Sequence, residues 1–107
     1  MGTLVKILYS GFWDRPLAFV VRHRGVQLYF CREFDEDADE YQDAYKVFVL
    51  PNLLDDEINA SWGHLYQNTT RYLGQVPVKQ VVFDSSFRES IDTDLADALI
   101  ETMKVSH

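Results

Sequence analysis

Cysteine is nearly missing from this chain: Cys31 stands alone. A lone thiol excludes an internal disulfide, and with it the stapled frameworks of small secreted domains. Zinc is short of ligands for the same reason. Structural zinc sites take three or four Cys or His donors at set spacings, and the only other candidates are His23, His64 and His107, none at motif spacing. Glycine is scarce, at five in 107 residues, and no phosphate-cradling cluster such as GxGxxG occurs. No apolar run approaches the ~20 residues of a membrane-spanning helix. Bases are few, ten Lys and Arg against seventeen Asp and Glu, and all but Arg22 and Arg24 are scattered singly. Nucleic acid requires clustered bases to neutralise phosphates, so it is excluded as a partner, and anionic membranes are disfavoured. Met1–Lys6 has no basic segment followed by an apolar stretch and does not read as a signal peptide. These absences together give the expectation of a cytoplasmic protein without a bound cofactor or metal.

What is present is ordinary globular material. Apolar residues make up 47% and charged residues 25%, with seven Phe, six Tyr and two Trp as bulky core candidates. One domain spanning residues 1–107 is expected. A chain of this size buries about two-thirds of its unfolded surface, enough to fold without staples.

Short β-branched and aromatic runs predict strands at residues 3–10, 17–22, 26–34, 44–50 and 76–83. Ser10-Gly11 reads as the turn after the first of them. Arg24-Gly25 reads as a two-residue hairpin loop, because Gly25 accepts a positive φ. That loop fixes the register: Val21 opposite Leu28, Phe19 opposite Phe30 and Leu17 opposite Arg32. Phe19, Val21, Leu28 and Phe30 then share a core face. Val20, Ala18, Gln27, Tyr29 and Cys31 share the other, which looks half polar and wetter. From Ser61 the period changes. Trp62, Leu65, Tyr66, Thr69, Tyr72 and Leu73 fall on one helical stripe, with Gly74 as the closing glycine. Leu95, Ala96, Leu99, Ile100 and Met103 mark a second helix over residues 92–104. The order β-β-β-β-α-β-α is an α+β fold: a mainly antiparallel sheet of about five strands, helices covering one face.

The charge is unevenly placed. Glu33, Asp35, Glu36, Asp37, Asp39, Glu40 and Asp43 fall within eleven residues with no base among them, and the remaining acids and bases balance, so this segment carries the entire net charge of −7. The simplest topology makes residues 33–43 the long tip of a second hairpin, and long loops carry function or move. One reading is a solvated connection that keeps sheet edges apart. The other is a docking surface for a basic protein.

Tests for specific chemistry fail. Asp35, Asp37 and Asp39 open like a calcium loop, but Glu40 stands where glycine is needed and Lys46 where the bidentate Glu is needed. A Cys31–His23 dyad is excluded by the hairpin register, which separates them by about 16 Å. Trp13, next to Phe12 and Arg15 in a predicted turn, is either an end plug of the core or an interface anchor. The sequence therefore points to a non-enzymatic protein-binding module of the inhibitor, immunity or adaptor type. Its contacts would be the seven acids and Trp13. Two alternatives remain open: a small ligand-binding domain or enzyme with its site near Tyr29, Cys31 and His64, and a homo-oligomeric subunit paired through a sheet edge.

Overall fold

The computed structural model describes residues 4–13, 15–81 and 90–105. Its strands are β1 (Leu4–Trp13), β2 (Arg15–His23), β3 (Val26–Asp35), β4 (Glu40–Leu50), β5 (Arg71–Pro77) and β6 (Ser90–Asp92). Helix α1 (Asp55–Ala60) and a 3-10 helix (Trp62–Asn68) join β4 to β5, a 3-10 turn (Val78–Gln80) follows β5, and α2 (Thr93–Val105) comes last. The sheet order is β5-β4-β3-β2-β1-β6, an antiparallel meander of five strands with the short β6 added outside β1. This is the expected α+β fold. No helix among the described residues is long and apolar enough to cross a membrane.

The hairpin register is as the loop chemistry requires. Val21 faces Leu28, Phe19 faces Phe30 and Ala18 faces Cys31. Arg24 and Gly25 both take positive φ, 54° and 76°, matching the twist of the flanking strands. Phe19 and Phe30 stack at 4.5 Å, and Tyr45 meets Phe19 edge-on at 5.0 Å. The buried Tyr45 hydroxyl donates to the Pro16 carbonyl at 2.6 Å, and among the described residues no buried side-chain polar atom is left stranded. Ala96 and Leu99 of α2 close the same face, together with Val76, Val78 and Val81.

Four sequence expectations need correction. The face expected to be wetter is a second core, in which Val20, Tyr29, Phe48 and Leu50 pack against Ile58 of α1 and Leu65 of the 3-10 helix. Helices therefore cover both faces. The helical stripe beginning at Trp62 stops at Asn68. Thr70 instead donates its backbone N–H to Val49 at 2.8 Å, and residues 71–77 continue as a strand with Tyr72 opposite Phe48. Pairing along β4 overrides a pattern that fitted a helix. Gly74, at φ 115°, therefore sits in an irregular stretch of β5, where it does not cap a helix. The strand predicted at residues 76–83 ends at Pro77, and its residues 82 and 83 lie outside the described set. Finally, Ser10-Gly11 makes no turn: β1 runs on to Trp13, which pairs with Arg15.

Helix α2 is tied to the β2–β3 turn by charge. His23 Nε2 donates to Asp97 at 2.7 Å, and Arg24 lies 3.4 Å from Asp97 and 3.6 Å from Glu101. The His23 hydrogen bond, with Arg24 adding to it, holds the Asp97 carboxyl below its usual value. A lowered folded pKa stabilises the protein above the unfolded value near 3.9, and that contribution is lost as pH falls through the folded one. Asp97→Asn should thus show a lower urea midpoint than the parent near neutral pH, with the gap closing in acid. A gap unchanged down to about pH 2 would reduce Asp97 to a packing role.

Candidate functional site

The acidic segment is less of a loop than expected. Strands β3 and β4 extend into it, leaving only the four residues 36–39 as a turn. Asp35 shapes that turn: its carboxylate accepts from the backbone N–H of Asp37 at 3.0 Å and of Ala38 at 3.2 Å. Asp39 takes φ 55°, a conformation Asp tolerates better than most residues. The long loop of the sequence reading is thus corrected to a short, internally bonded turn on a two-stranded support.

Below the tip the ladder is irregular. Arg32 pairs with Tyr45 and Phe34 with Tyr41, so Gln42, Asp43 and Ala44 stand opposite Glu33 alone. Arg32 fills this bulge. Its guanidinium is almost wholly buried, donates through Nε to the Gln42 carbonyl at 2.9 Å and lies 3.7 Å from Asp43. Glu33 is drawn to Lys46 at 2.5 Å, and that hydrogen bond raises the Lys46 pKa. Two of the seven candidate acids, Glu33 and Asp43, are therefore held by the molecule's own cations. The other five, Asp35, Glu36, Asp37, Asp39 and Glu40, form no ion pair among the described residues. Asp35 and Glu40 also face each other across the ladder, a repulsive arrangement of like charges. Crowded carboxylates without a cationic partner attract cationic groups. The described residues contain no group of three or more His, Cys, Asp or Glu arranged to hold a metal ion.

Of the other candidates, the side chains of Trp13 and His64 lie outside the described residues. Their backbones end β1 and sit in the 3-10 helix, respectively. Tyr29 and Cys31 do come together, two residues apart on β3 in the second core cluster. Burial pushes the Cys31 thiol up, with Glu33 adding to the rise, and also pushes the Tyr29 hydroxyl up. A raised thiol pKa keeps Cys31 protonated, the opposite of what a thiolate nucleophile needs.

A concave feature escaped the sequence reading. A cavity of about 390 Å³ opens between Arg22, Val26 and Gln27 on one side and Asn52, Leu53 and Asp55 on the other. Of its polar side chains, Gln27, Arg22 and Asp55 are already engaged. Gln27 exchanges two hydrogen bonds with the Leu53 backbone, while Arg22 binds the Leu53 carbonyl and the Asp55 carboxylate. Nothing in the sequence signals this, because Gln27 meets Leu53 only after the chain has turned through β3 and β4.

No family model matches the chain, and no curated protein and no solved structure shows significant similarity to it.

Proposed function

We propose that the protein is a non-enzymatic binding module that recognises a basic protein surface through the tip of its β3–β4 hairpin. One observation carries this reading. Five of the seven acids that carry the chain's net charge, Asp35 to Glu40, stand on a bonded turn without a cationic partner among the described residues. Such a patch steers a cationic partner and speeds encounter in a salt-dependent way. A turn already ordered by Asp35 loses less entropy on docking than a floppy loop would. The raised Cys31 thiol pKa favours this reading over nucleophilic chemistry at that residue. A lone reduced cysteine fits a cytoplasmic setting.

The test is an amide-shift titration with a synthetic peptide of alternating lysine and arginine, at low and raised salt. Shifts confined to residues 34–43 and suppressed by salt are expected. The variant combining Asp35→Asn, Glu36→Gln, Asp37→Asn, Asp39→Asn and Glu40→Gln should lose binding by tenfold or more, about 1.4 kcal/mol. It should stay folded, because the amide introduced by Asp35→Asn keeps an acceptor for the turn and Glu40→Gln relieves the repulsion across the ladder. Shifts spread evenly over the surface, or undiminished binding by the variant, would reject the proposal.

A further inference from the structure

We infer that the recess between the β2–β3 turn and the segment leading into α1 is a binding site for a free α-amino acid with an aliphatic side chain. The cavity, about 390 Å³, is of the size that small-molecule sites have. Val26, Leu53 and Leu54 give it an apolar wall. Leu54 is 71% exposed, and Val26 and Leu53 are half-buried, so all three keep accessible surface. A Cβ at Gly25 would meet nothing within 4 Å, which leaves the mouth clear on the turn side.

An apolar recess does not by itself name a ligand; here the ion pair at its rim does. Arg22 is held in place twice, by the Leu53 carbonyl at 2.6 Å and by one oxygen of the Asp55 carboxylate. A guanidinium has five N–H donors, and the other three meet no partner among the described residues. The second Asp55 oxygen is likewise unbonded among them. Both side chains are about half exposed, and a smaller cavity of about 160 Å³, bounded by Leu8 and Val20, opens on the other flank of the same pair. The pair therefore stands between two open recesses and presents spare donors beside a spare acceptor. That is the inverse of the carboxylate and ammonium of an α-amino acid. The carboxylate takes the fixed fork of Arg22, which loses little freedom on binding. The ammonium takes Asp55, and the aliphatic side chain lies on Leu53 and Leu54. A simple anion would meet Asp55 unrelieved, and a simple cation would meet Arg22. A zwitterion leaves neither charge opposed, and without net charge it is not repelled by the acid excess of the chain.

The test titrates leucine, isocaproate, isoamylamine and glycine into the full chain, followed by amide shifts. Leucine should shift the amides of Val26, Gln27, Leu53 and Asp55. Isocaproate lacks the ammonium, isoamylamine the carboxylate and glycine the side chain, and each should bind about tenfold weaker or more. Leu54→Ala removes only an exposed side chain and should weaken leucine by about threefold. Arg22→Lys keeps the charge but not the fork, and should narrow the preference for leucine over isoamylamine. Parental amide positions at Phe19 and Phe30 verify the fold of both variants. The variant neutralised at the hairpin tip should take leucine as the parent does. No shift with leucine, equal binding of the four compounds, leucine binding untouched in both folded variants, or its loss on neutralising the tip overturns this site; none of these bears on the binding of basic peptides at the tip.

Discussion

Replacing Phe19 by Ala should lower stability by about 3–5 kcal/mol, the cost of truncating a fully buried aromatic. The position explains the size. Phe19 is completely buried at the middle of β2, one of the four strands with a strand on either side. One ring face stacks on Phe30 and the Tyr45 ring meets it edge-on, so the substitution removes both aromatic contacts as well as the buried area. Phe30 and Tyr45 cannot collapse into the space cheaply, because each is fixed by the ladder, and Tyr45 also by its bond to Pro16. Domains of this size are stable by only about 5–15 kcal/mol, so the loss is a large fraction of the total. Thermal unfolding followed by circular dichroism should show the midpoint falling by more than about 10 °C, at roughly 4–8 °C per kcal/mol. Phe34→Ala, at an exposed position, should change it far less. A Phe19 variant that lost under about 1 kcal/mol would place the centre of the fold elsewhere.

The same residues show how far a single sequence can be read. The β2–β3 register followed from the Arg24-Gly25 loop and an alternation of period two, both of them local. Helix α2 was legible because Leu95, Ala96, Leu99 and Ile100 recur at helical spacing with no stronger competitor. Residues 69–73 fitted the helical stripe equally well, but the exposed edge of β4 claimed them, and that edge exists only in three dimensions. The second core was hidden for a related reason. Tyr29, Cys31 and Gln27 look like a wet face until α1 folds back over their end of the sheet. The seven acids were plain in the sequence, yet their division was not. Which two would meet Lys46 and Arg32, and which five would remain uncompensated, depends on the bulge opposite Glu33. The ring contact of exposed Phe34 with Tyr41 was not legible, because neither residue departs from strand composition.

Gln27→Leu should loosen one lid of the fold while leaving the hairpin tip intact. Gln27 is 4% exposed on β3; its amide donates to the Leu53 carbonyl at 2.8 Å, and its oxygen accepts from the Leu53 N–H at 3.2 Å. This pairing fixes the segment leading into α1, whose Ile58 is buried with Leu65 over Val20, Tyr29 and Phe48. Leucine fills similar volume but leaves the Leu53 N–H without its partner, at a cost of about 1–3 kcal/mol. The Leu53 carbonyl keeps its bond from Arg22 at 2.6 Å, so the loss is partial. Amide exchange at Ile58 and Leu65 should accelerate before any change at Phe19 or Phe30. In Gln27→Glu, the protonated carboxyl copies both hydrogen bonds, whereas the ionised form faces the Leu53 carbonyl with a second acceptor. The folded pKa of the introduced carboxyl is then raised, so that variant should approach the parent in acid, lose stability as pH rises from the unfolded value through the folded one, and level off above it. Unchanged protection at Ile58 in Gln27→Leu would show that packing alone holds the lid. Gln27 lies eight residues before the end of β3, some 26 Å from the tip at about 3.3 Å per residue. Binding of basic peptides at the tip should accordingly survive in this variant, which separates the stability of the α1 side from recognition at the far end of the same strand.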